Sequence, residues 1–146
     1  MFKGRSKHIL DAKGRLAIPA RFKEALTQRG DDCLVLTNYS ECLLAFTLED
    51  WQAIEQKFAN MSFLDQSATK LMRYFISGAQ ECPLKQGRIT IPPDLREIAE
   101  LKKDVALVGK LKTFEIWDQE KWDVEFRNAQ SVFPEVSQKL YDERGI

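Results

Sequence analysis

Two arginines in this sequence lie in a Gly-Arg-x-x-Ile-Pro pattern, and one of them also stands four residues after an aspartate. The segments are Gly14-Arg15, preceded by Asp11, and Gly87-Arg88. The planar guanidinium of arginine can form two hydrogen bonds to guanine O6 and N7, or it can clamp a phosphate. A carboxylate at Asp11 can hold the Arg15 guanidinium in one orientation, which lowers the entropy lost on binding. One interpretation of these residues is therefore a contact with nucleic acid.

A simpler interpretation is a solvent-exposed hairpin tip, since an Asp–Arg pair on the surface is commonly worth less than ~1 kcal/mol. The distribution of charge bears on this choice. The 146-residue chain has a formal net charge of zero, but residues 1–30 contain eight basic and two acidic side chains, a net of +6. Such a segment makes a local positive field that can face a polyanion. The residues by themselves leave both interpretations open.

The chain contains an internal repeat. Gly14–Pro19 recurs as Gly87–Pro92 at an offset of 73, and Leu34–Trp51 recurs as Val105–Trp122 at an offset of 71. A single short match can arise by chance, but two matches in the same order are much less easily explained in that way. The repeat predicts two tandem copies of one small module.

Each copy is predicted to begin with a β-hairpin and a helix. In the first copy, Ser6–Leu10 and Arg15–Ile18 have the composition of strands, and the Asp-Ala-Lys-Gly stretch between them is typical of a turn. Ala20–Arg29 favours a helix, which we expect to end at Gly30.

A second strand pair and a second helix are predicted to complete each copy. Cys33–Leu36 and Leu43–Phe46 are apolar strands in the first copy, and Thr47 is a good cap for the helix that follows. Asp118 takes the place of Thr47 in the second copy. The predicted order of the whole module is therefore ββαββα.

Helical segments are predicted after each copy. Residues 63–77 show the spacing of an amphipathic helix that bridges the two copies. A final short helix is predicted to start near Pro134, with Val136 and Leu140 facing inward. The predicted division of the chain is a first module, a bridge helix, a second module and a helical tail, over residues 1–60, 61–78, 79–127 and 128–146.

Several segments closely resemble the MraZ family of bacterial transcriptional regulators. Met1–Gly4 and Leu10–Pro19 resemble the opening of the family, and the match continues to about Trp122. The family's second motif is resembled by Glu81–Leu84, Gln86–Ile89 and Ile91–Pro93. The resemblance implies an α+β, mostly β fold, with two tandem swapped-hairpin modules of the AbrB type. The two modules would pair within the chain as a pseudo-dimeric barrel.

The resemblance also implies double-stranded DNA and other copies of the same chain as partners. Members of the family form rings, bind short direct repeats upstream of their own operon of cell-division and cell-wall genes, and act chiefly as repressors. The family's Asp-x-x-x-Arg motif corresponds to Asp11 and Arg15, which we expect to bind DNA. Charge and hairpin geometry add further expected DNA-binding residues, namely Lys3, Arg5, Lys7, Lys13, Arg21 and Arg88.

The second motif departs from the family pattern. Members of the family usually carry an aspartate directly after the leucine, whereas here Leu84 is followed directly by Lys85. Arg88 therefore lacks an acidic partner, and the second turn is one residue shorter than the first. Whether the second module contacts DNA is left open by the sequence.

Catalysis and metal binding find little support. His8 is the only histidine, and we expect it to be a solvent-exposed strand residue. The three cysteines form no C-x-x-C motif, so we expect no metal site, no cofactor and no enzyme activity.

Unpaired cysteines suit a reducing compartment, and no apolar stretch approaches the roughly 20 residues that span a bilayer. We expect a cytoplasmic, nucleoid-associated protein.

Two other functions remain possible at this point. A toxin-neutralising antitoxin can share the swapped-hairpin fold, although such proteins usually join one module to a disordered tail that wraps the toxin. A ring-forming interaction protein without a role on DNA is the other alternative. Retention on duplex DNA that is abolished by moderate salt would separate the repressor from the second alternative.

Overall fold

The computed structural model describes all 146 residues, which form eight strands, five α-helices and one π-helical segment. The first half contains, in order, β1 (Arg5–Ile9), β2 (Arg15–Ala17), α1 (Ala20–Gln28), β3 (Cys33–Tyr39), β4 (Cys42–Thr47) and α2 (Leu48–Ala59). Helix α3 (Gln66–Leu71) continues into the π-helical segment (Met72–Ile76). The second half contains β5 (Gln80–Pro83), β6 (Arg88–Thr90), α4 (Pro93–Ile98), β7 (Asp104–Lys110), β8 (Thr113–Asp118) and α5 (Gln119–Arg144). The predicted order of two ββαββα units joined by a helix is confirmed.

The two units exchange their first hairpins. Six strands form an antiparallel sheet in the order β1-β7-β8-β4-β3-β5, while β2 and β6 pair with each other. Strand β1 of the first unit therefore adds to the sheet strands of the second, and β5 of the second adds to those of the first. The registers are equivalent, since His8 pairs with Val105 and Cys82 pairs with Leu34. This exchange confirms the predicted intrachain pseudo-dimer.

The main core lies between the sheet and the β2–β6 ladder, and both units contribute to it. Leu16 of β2 and Ile89 of β6 are fully buried there. Beside them, the ring centroids of Phe2, Phe22 and Phe114 lie 4.9–5.2 Å from one another. Because the core residues come from both halves of the chain, neither unit closes a core alone.

Helices α2 and α5 begin at the capping residues predicted from the sequence. The Thr47 side chain accepts a hydrogen bond of 3.2 Å from the N–H of Asp50, and the Asp118 carboxylate accepts one of 3.4 Å from the N–H of Lys121. These bonds satisfy backbone donors that have no partner within the first helical turn.

The sheet face that points away from the main core is covered by different elements in the two units. On the first unit, Trp51 of α2 packs against Phe75 of the π-helical segment, with ring centroids 5.4 Å apart. On the second unit, α5 alone provides cover, through Trp122 beside Trp117 at 5.8 Å. The α3–π segment that folds back on the first unit thus has no counterpart on the second.

The bridge helix has different bounds from those predicted. The prediction was a helix over residues 63–77, but regular turns begin at Gln66, where the Asp65 carboxylate accepts from the N–H of Ala68 at 3.1 Å. From Met72 the helix widens into a π-helical segment. Such segments mostly occur as a single turn within an α-helix. The segment is helical as predicted, and a local cap fixes its start.

The prediction of a separate short helix starting near Pro134 is wrong. Pro134 lies inside the continuous helix α5, which ends at Gly145 in a left-handed conformation. A proline inside a helix removes one hydrogen bond and costs about 3 kcal/mol, but residues 119–144 contain no glycine or other break that would end the helix. Val136 and Leu140, predicted to face inward, are 47% and 37% exposed. Helix α5 thus runs continuously across residues 127 and 128, where the predicted division placed a boundary.

None of the helices has the length and apolar character needed to cross a membrane.

Candidate nucleic-acid interface

The β2–β6 ladder brings the two Gly-Arg arginines together. Arg15 pairs with Thr90 and Ala17 pairs with Arg88, while Leu16 and Ile89 pair between them and point into the core. Side chains alternate along a strand, so both arginines lie on the opposite, outer face of the ladder. They are diagonal neighbours, at a typical separation of about 7–8 Å. A groove of about 500 Å³ is lined by both.

The first turn, Asp11–Arg15, is organised by the aspartate. Its carboxylate accepts from the backbone N–H of Lys13 at 3.0 Å, from the backbone N–H of Arg15 at 2.8 Å, and from Arg15 Nε at 2.6 Å. Gly14 has a φ of +81°, which a residue with a side chain rarely adopts. This is the three-residue hairpin loop in which a left-handed glycine closes the turn.

The Asp11–Arg15 ion pair leaves part of the guanidinium free. The backbone N–H of Arg15 is the main cause that lowers the pKa of Asp11, and the Arg15 side chain lowers it further. Asp11 therefore stays ionised at neutral pH and holds the Nε edge of Arg15. The two terminal nitrogens remain available, and the Arg15 side chain is 40% exposed. A guanidinium fixed at one edge and open at the other is suited to a base edge or a phosphate.

The second turn, Lys85–Arg88, is a tighter structure. Lys85 and Arg88 exchange backbone hydrogen bonds of 2.8 and 3.0 Å around two residues of positive φ, Gln86 at +54° and Gly87 at +74°. Two left-handed central residues define a type I′ turn, which needs one residue fewer than the first turn. Arg88 forms no ion pair with any carboxylate. The second turn, which is one residue shorter and has no acidic residue, thus differs from the first in its turn type and in the freedom of its arginine.

Each turn is tied to the opposite unit by its glycine. The Gly14 carbonyl accepts from the N–H of Ile91 at 2.8 Å, and the Gly87 carbonyl accepts from the N–H of Ile18 at 3.0 Å. Because these bonds continue the β2–β6 ladder, both turns and both arginines belong to one rigid piece of sheet.

The other predicted DNA-binding residues divide into three places. Lys13 is exposed in the first turn. Arg21 of α1 donates from Nε to the carbonyl of Lys3 at 2.9 Å, so these two residues lie together near the N-terminus. Arg5 and Lys7 face α5 instead, with the Arg5 guanidinium 4.6 Å from the Phe126 ring centroid. The structure does not bring Arg5 and Lys7 to the outer face of the ladder.

His8 is not the solvent-exposed residue that we predicted. It is half-buried, its Nε2 lies 2.8 Å from the Ser6 hydroxyl, and burial together with nearby Arg21 lowers its pKa. Burial also raises the pKa of the Cys82 thiol to about 12, which leaves that cysteine unreactive at neutral pH. No three His, Cys, Asp or Glu side chains are grouped so that they could hold a metal ion.

Two basic residues next to the turns were missed from the sequence. The Arg96 guanidinium lies against Gly14, since a Cβ on that glycine would be 2.7 Å from Arg96 Cζ. Lys23 lies in the same way against Gly87, at 2.9 Å from a Cβ to Nζ. Their positions differ by 73, the repeat offset, which is the signal that could have identified them as a pair.

The hairpin exchange and the shared arginine face define the class of this protein as a swapped-hairpin β-barrel of the AbrB type. The chain belongs to the MraZ family. The family model, described as "MraZ protein, putative antitoxin-like", matches twice, over residues 1–74 and 75–143. The two matches agree with the internal repeat and confirm the family resemblance found in the sequence.

Curated relatives are similar over nearly the full length. A protein named Transcriptional regulator MraZ from Syntrophobacter fumaroxidans is 46% identical over 136 residues, 92% of this chain and 91% of that protein. Its namesakes from Pelotomaculum thermopropionicum and Carboxydothermus hydrogenoformans are 42% and 41% identical, each over 97% of this chain and over 97% and 98% of their own lengths. These relatives are named as regulators and not as enzymes, which confirms the prediction that this chain is not an enzyme.

Proposed function

We propose that this protein is a sequence-specific DNA-binding regulator that represses its own operon of cell-division and cell-wall genes. The observation that carries the proposal is the outer face of the β2–β6 ladder, where Arg15 is held by Asp11 beside Arg88. The names of the relatives as transcriptional regulators support it. The protein would act in the cytoplasm, in association with the nucleoid.

The ladder has a suitable form for the major groove of DNA. That groove is about 12 Å wide and admits a two-stranded β-ribbon. Arg15 would contact a guanine through its terminal nitrogens, and Lys13, exposed beside it, would contact a phosphate. Residues 1–60 and 79–127 would act as the two recognition modules, joined by 61–78 and followed by the tail 128–146.

The protein would bind the direct repeats of its promoter as a closed ring of copies. Large apolar side chains are exposed on the chain ahead of α3 and on the second half of α5, including Phe63 at 88%, Leu64 at 75% and Phe133 at 67%. Such surfaces favour association, and unlike surfaces that join head to tail form a ring when the rotation from one copy to the next closes. Several copies on neighbouring repeats would gain affinity through effective concentration.

Fluorescence anisotropy with the upstream DNA of its own operon tests the proposal. The full-length protein should bind that duplex more tightly than a shuffled duplex of the same composition at one stated salt concentration. Arg15→Ala should lose this preference, with an unchanged circular dichroism spectrum. Equal affinity of the wild-type protein for the two duplexes would contradict sequence-specific binding.

A further inference from the structure

The two turns have different neighbours, because the hairpin exchange places each turn beside the opposite unit. The N–H of Leu10, just before the first turn, donates to the carbonyl of Lys103 at 2.8 Å. At the equivalent position, the N–H of Leu84 donates to the carbonyl of Asp32, also at 2.8 Å. Lys103 and Asp32 therefore occupy the same place beside the first and the second turn.

The charges at these equivalent places are opposite. Lys102 and Lys103 correspond, at the repeat offset of 71, to Asp31 and Asp32. The first turn is thus flanked by two lysines of the second unit, and the second turn by two aspartates of the first unit. A backbone phosphate would be attracted beside the first turn and repelled beside the second.

Beside the first turn lies an open groove of about 730 Å³, which we call the first-turn groove. The first unit lines it with Asp11 and Ala12, and the second unit lines it with Arg96, Lys102 and Lys103. Residues from both halves of the chain thus build this groove, so the charges of one half alone do not reveal the charge of the groove.

Two of the cations in the first-turn groove have no acidic partner. Lys102 Nζ lies 3.5 Å from Asp118, whereas Arg96 and Lys103 form no ion pair. Arg96 Nε is buried and has no hydrogen-bond acceptor in the protein. The carboxylate of Asp11 is already bound to Arg15, so Glu97 is the one acidic group in the groove that is not engaged.

The surroundings of the second turn contain more acidic side chains that form no ion pair. Lys85 and Lys23 lie at this turn, but Glu81 lines the groove that holds Arg88. With Asp31 and Asp32 close by, the acidic side chains offset the basic ones. A phosphate beside Arg88 would meet no excess of positive charge.

We propose that Arg96 and Lys103 of the second unit form a phosphate-binding site for the DNA backbone beside the first turn. Arg15 of the first unit would contact the base while these two residues hold the adjacent phosphate. No equivalent site exists beside the second turn. The inference rests on the proposed DNA binding and adds that the contact around Arg15 is built by both units.

The salt dependence of binding tests this site, because each phosphate contact contributes about 0.9 to the slope of log K against log salt for duplex DNA. The full-length protein is titrated by anisotropy against a duplex of about 30 base pairs from its upstream DNA, at several KCl concentrations. Arg96→Gln and Lys103→Gln should each flatten the slope by about one, and Arg96→Lys should restore it. Lys23→Gln, at the position equivalent to Arg96, is the matched control and should leave the slope unchanged.

A variant that is expected to gain a phosphate contact provides a second test of the site. Asp32→Lys places a lysine at the position equivalent to Lys103, so it should steepen the slope by about one and tighten binding several-fold. If Arg96→Gln disturbs the first turn, the exposed Lys103→Gln still tests the site. Slopes equal to wild type in both glutamine variants would overturn the phosphate site, while loss of sequence preference in Arg15→Ala would still support the proposed function. A wild-type protein that binds no duplex would overturn both.

Discussion

The N–H of Ile91 donates a 2.8 Å hydrogen bond to the carbonyl of Gly14, so the residue that follows β6 of the second unit holds the tip of the first hairpin. A hairpin tip is ordinarily a mobile part of a protein. Here it is the continuation of an antiparallel ladder whose other face is buried in the core. Because the arginine beside Gly14 is already ordered, little conformational entropy is lost when it binds a ligand.

Arg15→Lys separates the planar geometry of Arg15 from its charge. Lysine keeps the positive charge but cannot form two parallel hydrogen bonds with guanine. We expect this variant to keep its affinity for shuffled DNA. It should lose about 1–3 kcal/mol of its preference for the operator, which is the upstream DNA of its own operon. Competition anisotropy with both duplexes checks the difference. A preference equal to that of the wild-type protein would exclude a bidentate base contact by Arg15.

The pKa of Asp11 should lie below its ordinary value of 3.8, even in Arg15→Ala. The largest cause is the backbone N–H of Arg15, which alanine retains, and the lost guanidinium is a smaller cause. Because the pKa of Asp11 is lower in the folded state, its ionised carboxylate stabilises the fold. This contribution is fully present above the ordinary pKa, and it is lost as the pH falls through the lowered pKa of the folded state. Titration of the Asp11 carboxyl by carbon NMR in both proteins measures this. A return to the ordinary value in Arg15→Ala would show that the side chain dominates.

Arg88→Ala should weaken operator binding clearly less than Arg15→Ala. Arg88 shares the outer face of the ladder but has no carboxylate to orient it, and its turn is one residue shorter. Both variants should be compared at one salt concentration and with assembly verified. Equal losses would show that the two units read DNA equally and that the missing aspartate matters little.

Inserting one aspartate between Leu84 and Lys85 should restore the length of the second motif. The longer turn would then resemble Asp11–Arg15, with a carboxylate placed to hold Arg88. We expect tighter binding than in the wild-type protein, measured by the same titration. An insertion of alanine at this place is the control, since it lengthens the turn without adding the carboxylate.

Gly109→Ala should lower the free energy of unfolding by about 1–3 kcal/mol, as overpacking typically does. A Cβ at this position would lie 2.6 Å from backbone atoms of Phe2 and Lys3, which cannot rotate away. Gly30→Ala is the control, because its Cβ would meet open space and only its φ of +73° is unfavourable. Hydrogen exchange should accelerate at Phe2 and Leu111, which bond to each other, in Gly109→Ala only.

Removing residues 131–146 should abolish assembly and leave the fold intact. All of these residues are exposed in the single chain, so their loss removes no buried contact. Light scattering should then give a mass near that of one truncated chain, against a multiple of 16.9 kDa for the full protein. A full-length protein that remains near 16.9 kDa at micromolar concentration would contradict the ring.

Features set by a few neighbouring residues were predictable from the sequence. Local chemistry and the repeat predict the first turn, the caps at Thr47 and Asp118, and the order of strands and helices along the chain. The exchange of hairpins between the two units was implied by the family resemblance. The bounds of α5 were not, because Pro134 is compatible both with a helix start and with a costly place inside one. Which of the two applies depends on whether the helical turns on both sides of Pro134 form one helix, and a pattern of a few neighbouring residues does not show that.

The charge around each turn could not be read from the linear sequence. Lys102 and Lys103 follow the second turn in the sequence, but the β1–β7 pairing places Lys103 beside the first turn. Arg5 and Lys7 are close to Arg15 in the sequence, yet the alternation along β1 turns them toward α5. Long-range strand pairing thus decides which charges act together, and it reverses part of the assignment made from neighbouring positions.

The exchange of hairpins within one chain also removes a dependence on protein concentration. A barrel assembled from two separate chains falls apart when the protein is diluted below its dissociation constant. Here the two halves are joined through residues 60–79, and a short covalent connection gives an effective concentration in the millimolar range. The arginine face therefore exists complete in every newly made molecule, even when a cell holds very few of them.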